Sequence, residues 1–381
     1  MFCMNDILLP SLINHFKLNY TQATMIQFTF YLTYVIFPLP IAWMIHKYGY
    51  KVSLIVALLV CSTGCSLFIP AKFLDSFIIV LIAIFTLSTG ITVVNVAANP
   101  FITLLGDKEG AHIRMNFVQV FSRAGYASTP LIATSLIYSN TGEIRFHFPY
   151  MLLAACIFII AVLVYFSQMP SLKAEKEEKF SVPGLFKESI QYRHLFFGVI
   201  AMFFYVGAEA CTAGFFIPYL RSVLGFTDSE AARYLTLYYV FAAGMGLMAV
   251  IILRYVKAHK MVGLFGISMI ICFLICIFLN TGYNEYILAC LGLFLSIMFP
   301  TLFSLAIEEV GAFAAKGSAL LNFAIVGGSM FPPIQGMIAD RFGVNVSYAV
   351  PCFCFVIITL YAFFFTKTPL MKRKTRLKYS K

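Results

Sequence analysis

The sequence predicts an all-α membrane protein with about a dozen spans arranged as two six-helix bundles. Three observations predict this fold. The chain is 61% hydrophobic and only 11% charged, it contains a series of long apolar segments, and one polar linker divides these segments into two similar halves. A soluble domain of 381 residues would need far more charged side chains to cover its surface.

The apolar segments lack Asp, Glu, Lys, Arg and His, and each is long enough to cross the membrane, which takes roughly 20 helical residues. The uninterrupted segments are 18–45, 52–71, 76–106, 148–172, 234–253, 261–284, 286–307, 317–339 and 342–366. Two more are interrupted once, 115–142 by Arg123 and 195–220 by Glu209. Residues 1–14 are apolar but too short for a span. We therefore expect the first transmembrane helix to be truncated and the native protein to be longer.

The two halves resemble one another at equivalent positions on either side of the polar linker 169–194. Pro100 and Pro300 are 200 residues apart, and Pro149 and Pro351 are 202 residues apart. Such offsets indicate a parallel repeat of two six-helix units. The predicted domains are an N-terminal bundle over 1–168 with an incomplete first span, a cytoplasmic linker over 169–194, a C-terminal bundle over 195–367 and a basic cytoplasmic tail over 368–381.

The net charge of +11 does not indicate nucleic-acid binding, because the excess Lys and Arg residues lie in loops and in the tail rather than in a basic domain. The positive-inside rule accounts for this distribution and predicts that both termini are cytoplasmic. We expect a multi-pass protein of the bacterial inner membrane that works as a monomer. The ten Cys residues lie mostly in apolar segments without a CxxC pair, which favours buried thiols over disulfides or a metal site.

Asp6 and Glu209 are the acidic residues that lie well inside predicted spans. An ionisable side chain in hydrocarbon is costly and marks a functional site by default. A carboxyl group in a partly dry cavity can take up a proton near neutral pH and can accept hydrogen bonds from sugar hydroxyl groups. Both residues are therefore candidates for substrate binding and proton coupling. The alternatives are a solvated helix-end carboxylate at Asp6 and a structural carboxylate at Glu209.

The fifth span carries a polar stripe formed by Gln119, Ser122 and Arg123. Their i, i+3, i+4 spacing puts all three on one helical face, which should meet a cavity or another helix. Arg123 could pair with Asp6, because an unpaired cation there would be costly. A structural ion pair without substrate contact is the alternative.

The fourth span carries Asn95 and Asn99 immediately before the helix-breaking Pro100. A proline frees backbone carbonyl groups that a substrate or water can use, so both amides are candidate substrate ligands. Simple helix packing is the alternative.

The aromatic and histidine residues give weaker signals. Trp43 lies near a span end and is typical of an interfacial anchor, whereas Tyr31 and Tyr34 could stack on a sugar but are expected to serve packing. All six His residues fall in loops or at span ends, where solvation is expected. No HExxH, GxSxG, Walker A or strand-linked GxGxxG motif is present. The chain is therefore predicted to be neither an enzyme nor an ATP-driven pump, and it is predicted to use no cofactor and no metal.

Several motifs resemble the L-fucose:proton symporter family of the major facilitator superfamily, which includes L-fucose permeases and bacterial glucose/galactose transporters. The motifs are NDILLP (5–10), GYK (49–51), AANPF (97–101), RMNFVQVFSRAG (114–125), FYVGAE (204–209), SIMFPTLFSLAI (296–307) and IVGGSMFPPIQGMIAD (325–340). The resemblance covers nearly the whole chain, and GITVVNVAANPF and FYVGAE are closer to the glucose/galactose branch. It implies the major facilitator fold, with Asp6 in proton coupling and sugar binding.

Three positions depart from the family pattern. Asn95 stands where the fucose permeases have a second acid, Ser122 replaces an Asn, and Arg123 replaces a small polar residue, whereas the family's Gln is retained as Gln119. If these positions line the cavity, it is more positive than the family's. The substrate could then be an acidic sugar, or Arg123 could neutralise Asp6, in which case Glu209 or a sodium ion would serve coupling.

These observations predict a secondary active transporter that takes up a small sugar, a hexose or deoxyhexose such as glucose, galactose or L-fucose, by proton symport with alternating access. A carrier of an acidic sugar, a sodium-coupled carrier, an exporter of another substrate class and a non-transporting truncated remnant are the alternatives. The polar stripe in the fifth span argues against an exporter with a greasy cavity.

Overall fold

A computed structural model describes residues 2–104, 147–170, 182–279, 281–308, 310 and 314–366, with isolated positions between 118 and 129. All regular secondary structure in these ranges is helical, as the composition predicts. Gln119, Ser122 and Arg123 lie outside the described residues, so the predicted polar stripe and the pairing of Arg123 with Asp6 remain predictions.

The first half contains α1 (Phe2–Phe16), α2 (Tyr20–Ala23), α3 (Met25–Ile36), α4 (Pro38–Ser66), α5 (Phe68–Phe73), α6 (Phe77–Leu104) and α7 (His147–Phe166). The predicted segment 18–45 is therefore divided between α2, α3 and the start of α4. Pro38 occupies the first turn of α4, where its missing N–H costs nothing. Gly49 has φ 80° and kinks α4, because a left-handed backbone conformation suits glycine.

The linker and second half contain α8 (Val182–Ser189), α9 (Arg193–Gly214), α10 (Phe216–Leu224), α11 (Asp228–Tyr255), α12 (Ala258–Phe278), α13 (Asn284–Leu295), α14 (Met298–Ile307), α15 (Ala314–Phe323), α16 (Gly327–Phe342), α17 (Val344–Ser347) and α18 (Ala349–Leu360). A short 3-10 turn, Ala324–Val326, joins α15 to α16, and a π-helical turn, Tyr361–Phe365, follows α18. Helix α8 lies inside the segment 169–194, which the sequence presented only as a polar linker.

Within the described residues, eight helical stretches are long and apolar enough to cross a membrane. They are Trp43–Phe73, Phe77–Ala98, His147–Phe166, Arg193–Gly214, Ala258–Phe278, Asn284–Ile307, Gly317–Phe342 and Val344–Phe365. Many large apolar side chains on these helices are exposed, such as Phe158, Leu264 and Phe353. An apolar exterior of this kind suits contact with lipid.

The helices of each half pack mainly against one another, and a smaller set of helices joins the two halves. In the first half, α4 packs against α6 and α7; in the second, α9 packs against α14, α16 and α18. The extensive contacts between the halves, among the described helices, are made by α1, α2 and α3 on one side and by α9, α10, α16 and the 3-10 turn on the other. We call the membrane side at which α1 ends and α2 begins the closed face.

Thr227 and Glu230 form a capping box at the start of α11. The Thr227 backbone N–H and hydroxyl donate to Glu230 Oε2 at 2.9 and 2.8 Å, and the Glu230 N–H donates to the Thr227 hydroxyl at 3.3 Å. The donation from the Thr227 backbone and then from its hydroxyl lowers the pKa of Glu230, because both bonds favour the charged form.

The lowered pKa predicts an acid-sensitive first turn of α11. A depressed carboxyl pKa contributes stability that is present above the ordinary pKa of Glu and is lost as the pH falls through the pKa of folded Glu230. Hydrogen exchange at the Glu230 amide, corrected for the intrinsic pH dependence of exchange, should therefore rise on acidification. In Glu230→Gln the box is neutral, so the corrected exchange should be flat with pH; an equal rise in both proteins would contradict the prediction.

Among the histidines that the structure describes, His194 contradicts the prediction that the histidines are solvated. Its side chain is only 4% exposed, and its Nε2 lies 2.7 Å from the Glu308 backbone carbonyl oxygen. The carbonyl comes from a residue 114 positions away, so a partner inside the bundle replaces solvent. The exposed Trp43 ring has the Lys47 Nζ atom 4.8 Å from its centroid, which fits an interfacial residue. The described cysteines are free, and six of them are buried.

Candidate functional site

Asp340, near the end of α16, links the two halves at the closed face. Its Oδ1 atom accepts from the Tyr20 backbone N–H at 2.7 Å, and its Oδ2 atom accepts from the Thr21 N–H at 2.8 Å and the Thr21 hydroxyl at 2.6 Å. These are the first residues of α2, whose N–H groups have no partner within the helix. Bonds to a charged acceptor are about twice as strong as neutral ones, so Asp340 fastens α2 to α16.

A second polar bridge crosses between the halves at the same face. The Arg221 guanidinium of α10 donates to the Asn14 side-chain oxygen of α1 at 2.6 Å. The Asn14 amide in turn donates to the Asp228 carboxylate at 3.4 Å, and Arg221 lies 3.9 Å from that carboxylate. The end of α1 is thus bound to the loop region that joins α10 and α11.

Glycines allow the backbones of the halves to approach closely beneath these polar bridges. A Cβ atom added to Gly328 of α16 would lie 2.6 Å from the Tyr31 ring, and one added to Gly336 would lie 2.9 Å from Thr24 Oγ1. On α9, Gly214 contacts the Gln27 side-chain amide. Small residues at helix crossings are the usual means of close packing in membranes, so the halves are tightly joined along α3.

Tyr34 and Asn95 form a polar pair between α3 and α6. The Asn95 Nδ2 atom lies 2.9 Å from the Tyr34 hydroxyl oxygen, with Asn95 exposed and Tyr34 half-buried. A buried pair lies beside it, with the Thr33 and Thr92 hydroxyl oxygens 3.0 Å apart. The structure therefore puts Asn95 in contact with α3, the helix that faces the second half.

Glu209 is half-buried in the last third of α9. Its neighbour one turn earlier, Tyr205, is its side-chain hydrogen-bond partner, and the Tyr205 hydroxyl also lies 3.2 Å from the Leu295 carbonyl oxygen. On the helix, Glu209 lies opposite Gly207, whose missing Cβ leaves room for the Phe331 ring of α16. Glu209 therefore lies on the side of α9 that carries Tyr205, opposite Gly207.

For the other candidate site residues, the structure describes only the position of the backbone or does not describe the residue. Asp6 lies on α1 and Asn99 on α6, but their side chains lie outside the described part of the chain. Helix α6 runs through Pro100 to Leu104 without a break. The structure thus brings Asn95 to a polar partner and leaves the other predicted contacts of the site as predictions.

A groove of about 430 Å³ lies apart from these residues, between α12 and α18. Its lining is apolar and includes Phe278, Phe353 and Val356, so it suits lipid chains better than a polar solute. Among the residues that the structure describes, no group of three His, Cys, Asp or Glu side chains could hold a metal ion.

Sequence reasoning missed two polar residues. Asp340 follows directly after the apolar segment 317–339, where a charged residue normally marks the end of a span. Tyr34 was expected to serve packing, but its hydroxyl bonds Asn95. The Asn19 side chain caps the Gln22 N–H at 2.7 Å, which leaves the Tyr20 and Thr21 N–H groups at the start of α2 to bind another acceptor. Those two N–H groups are the ones that Asp340 accepts from.

Comparison with known proteins gives one consistent picture. The family model of the Major Facilitator Superfamily matches residues 2–331. The glucose/galactose transporter of Brucella abortus is 34% identical over 379 residues, covering 96% of this chain and 90% of that protein. The L-fucose-proton symporter of Escherichia coli is 30% identical over 395 residues, covering 96% of this chain and 90% of that protein.

Solved structures agree with these relatives. The crystal structure of the transporter FucP in the outward conformation is 28% identical, covers 96% of this chain and 95% of its own, and gives a TM-score of 0.69. A bacterial homologue of the human lysosomal transporter Spinster shares only the fold, with 15% identity, coverage of 97% and 94%, and a TM-score of 0.78. The predicted fold and family resemblance, and the expectation of a transporter rather than an enzyme, are confirmed: the chain belongs to the Major Facilitator Superfamily.

Proposed function

We propose that the chain is a secondary active transporter that takes up a neutral hexose or deoxyhexose, such as glucose, galactose or L-fucose, by proton symport. The observation that carries this proposal is the similarity along 96% of the chain to a named glucose/galactose transporter and to a named L-fucose-proton symporter. Membership of the superfamily makes the chain a multi-pass membrane protein. The proposed coupling ion is the proton, as in the second relative's name, with sodium as the alternative.

The proposed mechanism is alternating access, in which the two halves rock about a central site. The hydrogen bonds of Asp340 and Arg221 and the glycine contacts of α16 support closure on one side of the membrane. We take the closed face as the outer one. The two bundles comprise residues 1–168 and 195–367, and the linker 169–194 and the tail 368–381 lie on the cytoplasmic side. The transporter acts as a monomer in the bacterial inner membrane, and it uses no cofactor.

The proposed substrate site joins polar groups of both halves. Asn95 and Glu209 are the members whose side chains the structure describes. Both are polar residues within apolar helices, where such a residue indicates a functional site. The remaining proposed members are Asp6, Asn99, Gln119, Ser122 and Arg123. Proton coupling is assigned to Asp6 and Glu209.

Counterflow in proteoliposomes tests the proposal directly. Vesicles loaded with unlabelled D-glucose, D-galactose or L-fucose should take up the matching radiolabelled sugar. An inward proton gradient, with the outside more acidic, should drive net accumulation. D-glucuronate should not compete with uptake. Exchange of none of the three sugars would overturn the proposed function, competition by D-glucuronate alone would assign an acidic sugar instead, and accumulation driven only by a sodium gradient would replace the proton.

A further inference from the structure

We propose that Tyr34 is a further substrate-contacting residue, which together with Asn95 binds two neighbouring hydroxyl groups of the transported sugar. This inference rests on the proposed function and adds a specificity-determining residue to it. The pair is already joined across α3 and α6 by the 2.9 Å contact between Asn95 Nδ2 and the Tyr34 hydroxyl oxygen.

The face of α3 that carries Tyr34 looks towards the second half. Tyr31 and Tyr34 are three residues apart and therefore share one side of the helix. The Tyr31 ring packs on Gly328 of α16 and is almost fully buried there. Tyr34 consequently points to the interface between the halves rather than to lipid.

Tyr34 also lies one helical turn farther from the closed face than Tyr31. Along α3, Gln27 contacts Gly214 and Tyr31 contacts Gly328, both of which belong to the second half. At Tyr34 the polar partner is instead Asn95 of the same half, and Asn95 is exposed. The pair therefore lies just beyond the tightly packed part of the interface, where a central hollow would begin.

The hydrogen-bonding capacity of the pair is not used up by its own contact. A phenol has one donor and can accept, and a side-chain amide has two donors and an acceptor oxygen. Because the Asn95 amide N–H donates to the Tyr34 oxygen, the pair keeps the Tyr34 O–H and the second Asn95 N–H as donors and the Asn95 side-chain oxygen as an acceptor. A solute with adjacent hydroxyl groups, each able to donate and accept, satisfies both.

The buried neighbours show why the pair is not needed merely to join the helices. Thr33 and Thr92 already link α3 to α6 by buried hydroxyl groups whose oxygens are 3.0 Å apart. The two hydroxyl protons serve this contact and the Phe30 and Ser88 carbonyl oxygens in turn, since each hydroxyl donates only once. Neither threonine is accessible. Thr33→Val thus removes an α3–α6 hydrogen bond of similar length without touching a solute, which makes it a matched control for Tyr34→Phe.

The test combines variants with substrate analogues. Uptake kinetics are measured for wild type, Tyr34→Phe and Thr33→Val with the sugar among D-glucose, D-galactose and L-fucose that the wild type transports best, and with its monodeoxy derivatives. For wild type, removal of the contacted hydroxyl should raise KM roughly three- to tenfold, the range of one hydrogen bond. In Tyr34→Phe the parent sugar should already show the raised KM. The derivative that lacks the contacted hydroxyl should then have the same KM as the parent sugar in this variant.

A structural role gives a different pattern. If Tyr34 only joins the helices, Tyr34→Phe will behave like Thr33→Val, and every deoxy derivative will keep its full wild-type penalty; that additivity would overturn the inference while leaving sugar transport intact. Absence of wild-type transport of all three sugars would instead refute the proposed function, so the two failures are distinguishable.

Discussion

Replacing Glu209 with Gln is expected to lower proton-driven sugar accumulation at least tenfold while leaving the protein folded. Glu209 is an ionisable residue in the last third of α9, half-buried beside Tyr205. A carboxylate in that setting is energetically costly, and its presence therefore indicates a functional role. A hydrogen bond to a charged group contributes about 1.5–3 kcal/mol, and each 1.36 kcal/mol is about tenfold in rate, so loss of the charge should be visible in transport.

The same variant separates the two proposed roles of Glu209. If the carboxyl carries the coupled proton, Glu209→Gln will lose accumulation driven by a pH gradient but will keep counterflow, because exchange of sugar for sugar needs no net proton movement. If the carboxyl binds sugar, both activities will fall together. Glu230→Gln, at the exposed cap of α11, is the matched control and should transport normally; wild-type accumulation in Glu209→Gln would contradict both roles.

Replacing Gly328 with Val is expected to disfavour closure at the closed face and to lower transport about tenfold or more. The Cβ atom of any side chain at this position would lie 2.6 Å from the Tyr31 ring, which is closer than Cβ atoms approach other atoms in real structures. The ring is buried and has little room to move away. Overpacking of this kind typically costs 1–3 kcal/mol. The halves would relieve it by separating, so the alternating-access equilibrium should shift away from the closed state by about one order of magnitude or more.

Hydrogen exchange reports this shift where the halves are joined. The Tyr20 and Thr21 amides donate to Asp340 across the joint between the halves, so their exchange should rise in Gly328→Val if the halves separate. Gly244→Val is the matched control, because no atom lies within 4 Å of a Cβ at Gly244. Asp340→Ala, which removes the acceptor without a clash, should also raise exchange at these amides; unchanged exchange in both variants would show that the contacts do not hold the face closed.

The sequence predicts the helices well because burial in lipid depends on composition along short stretches. Segments free of charge became helices, and His147–Phe166 matches the predicted 148–172 within a few residues at its start. The interruption at Asn19 and Pro38 within 18–45 also follows from local chemistry, since a capping amide and a proline set helix starts.

The contacts of the candidate site could not be predicted in the same way. His194 is buried because a carbonyl 114 residues away accepts its bond, and Asp340 binds N–H groups about 320 residues distant. Such pairings depend on how the halves fit together, which a single sequence does not encode as a local pattern. Tyr34 shows the same limit, because only the crossing of α3 and α6 distinguishes a bonded phenol from a packing ring.

The contacts of Gly328 and Gly336 affect the entropy of the transport cycle. When the halves meet at these positions, α16 contributes backbone atoms and no rotatable side chain, so joining the halves there freezes few side-chain torsions of its own. Separation correspondingly releases little rotational freedom from that helix. The side-chain entropy of α16 should therefore contribute little to the balance between the joined and separated halves, unlike in a carrier whose halves interlock through long side chains.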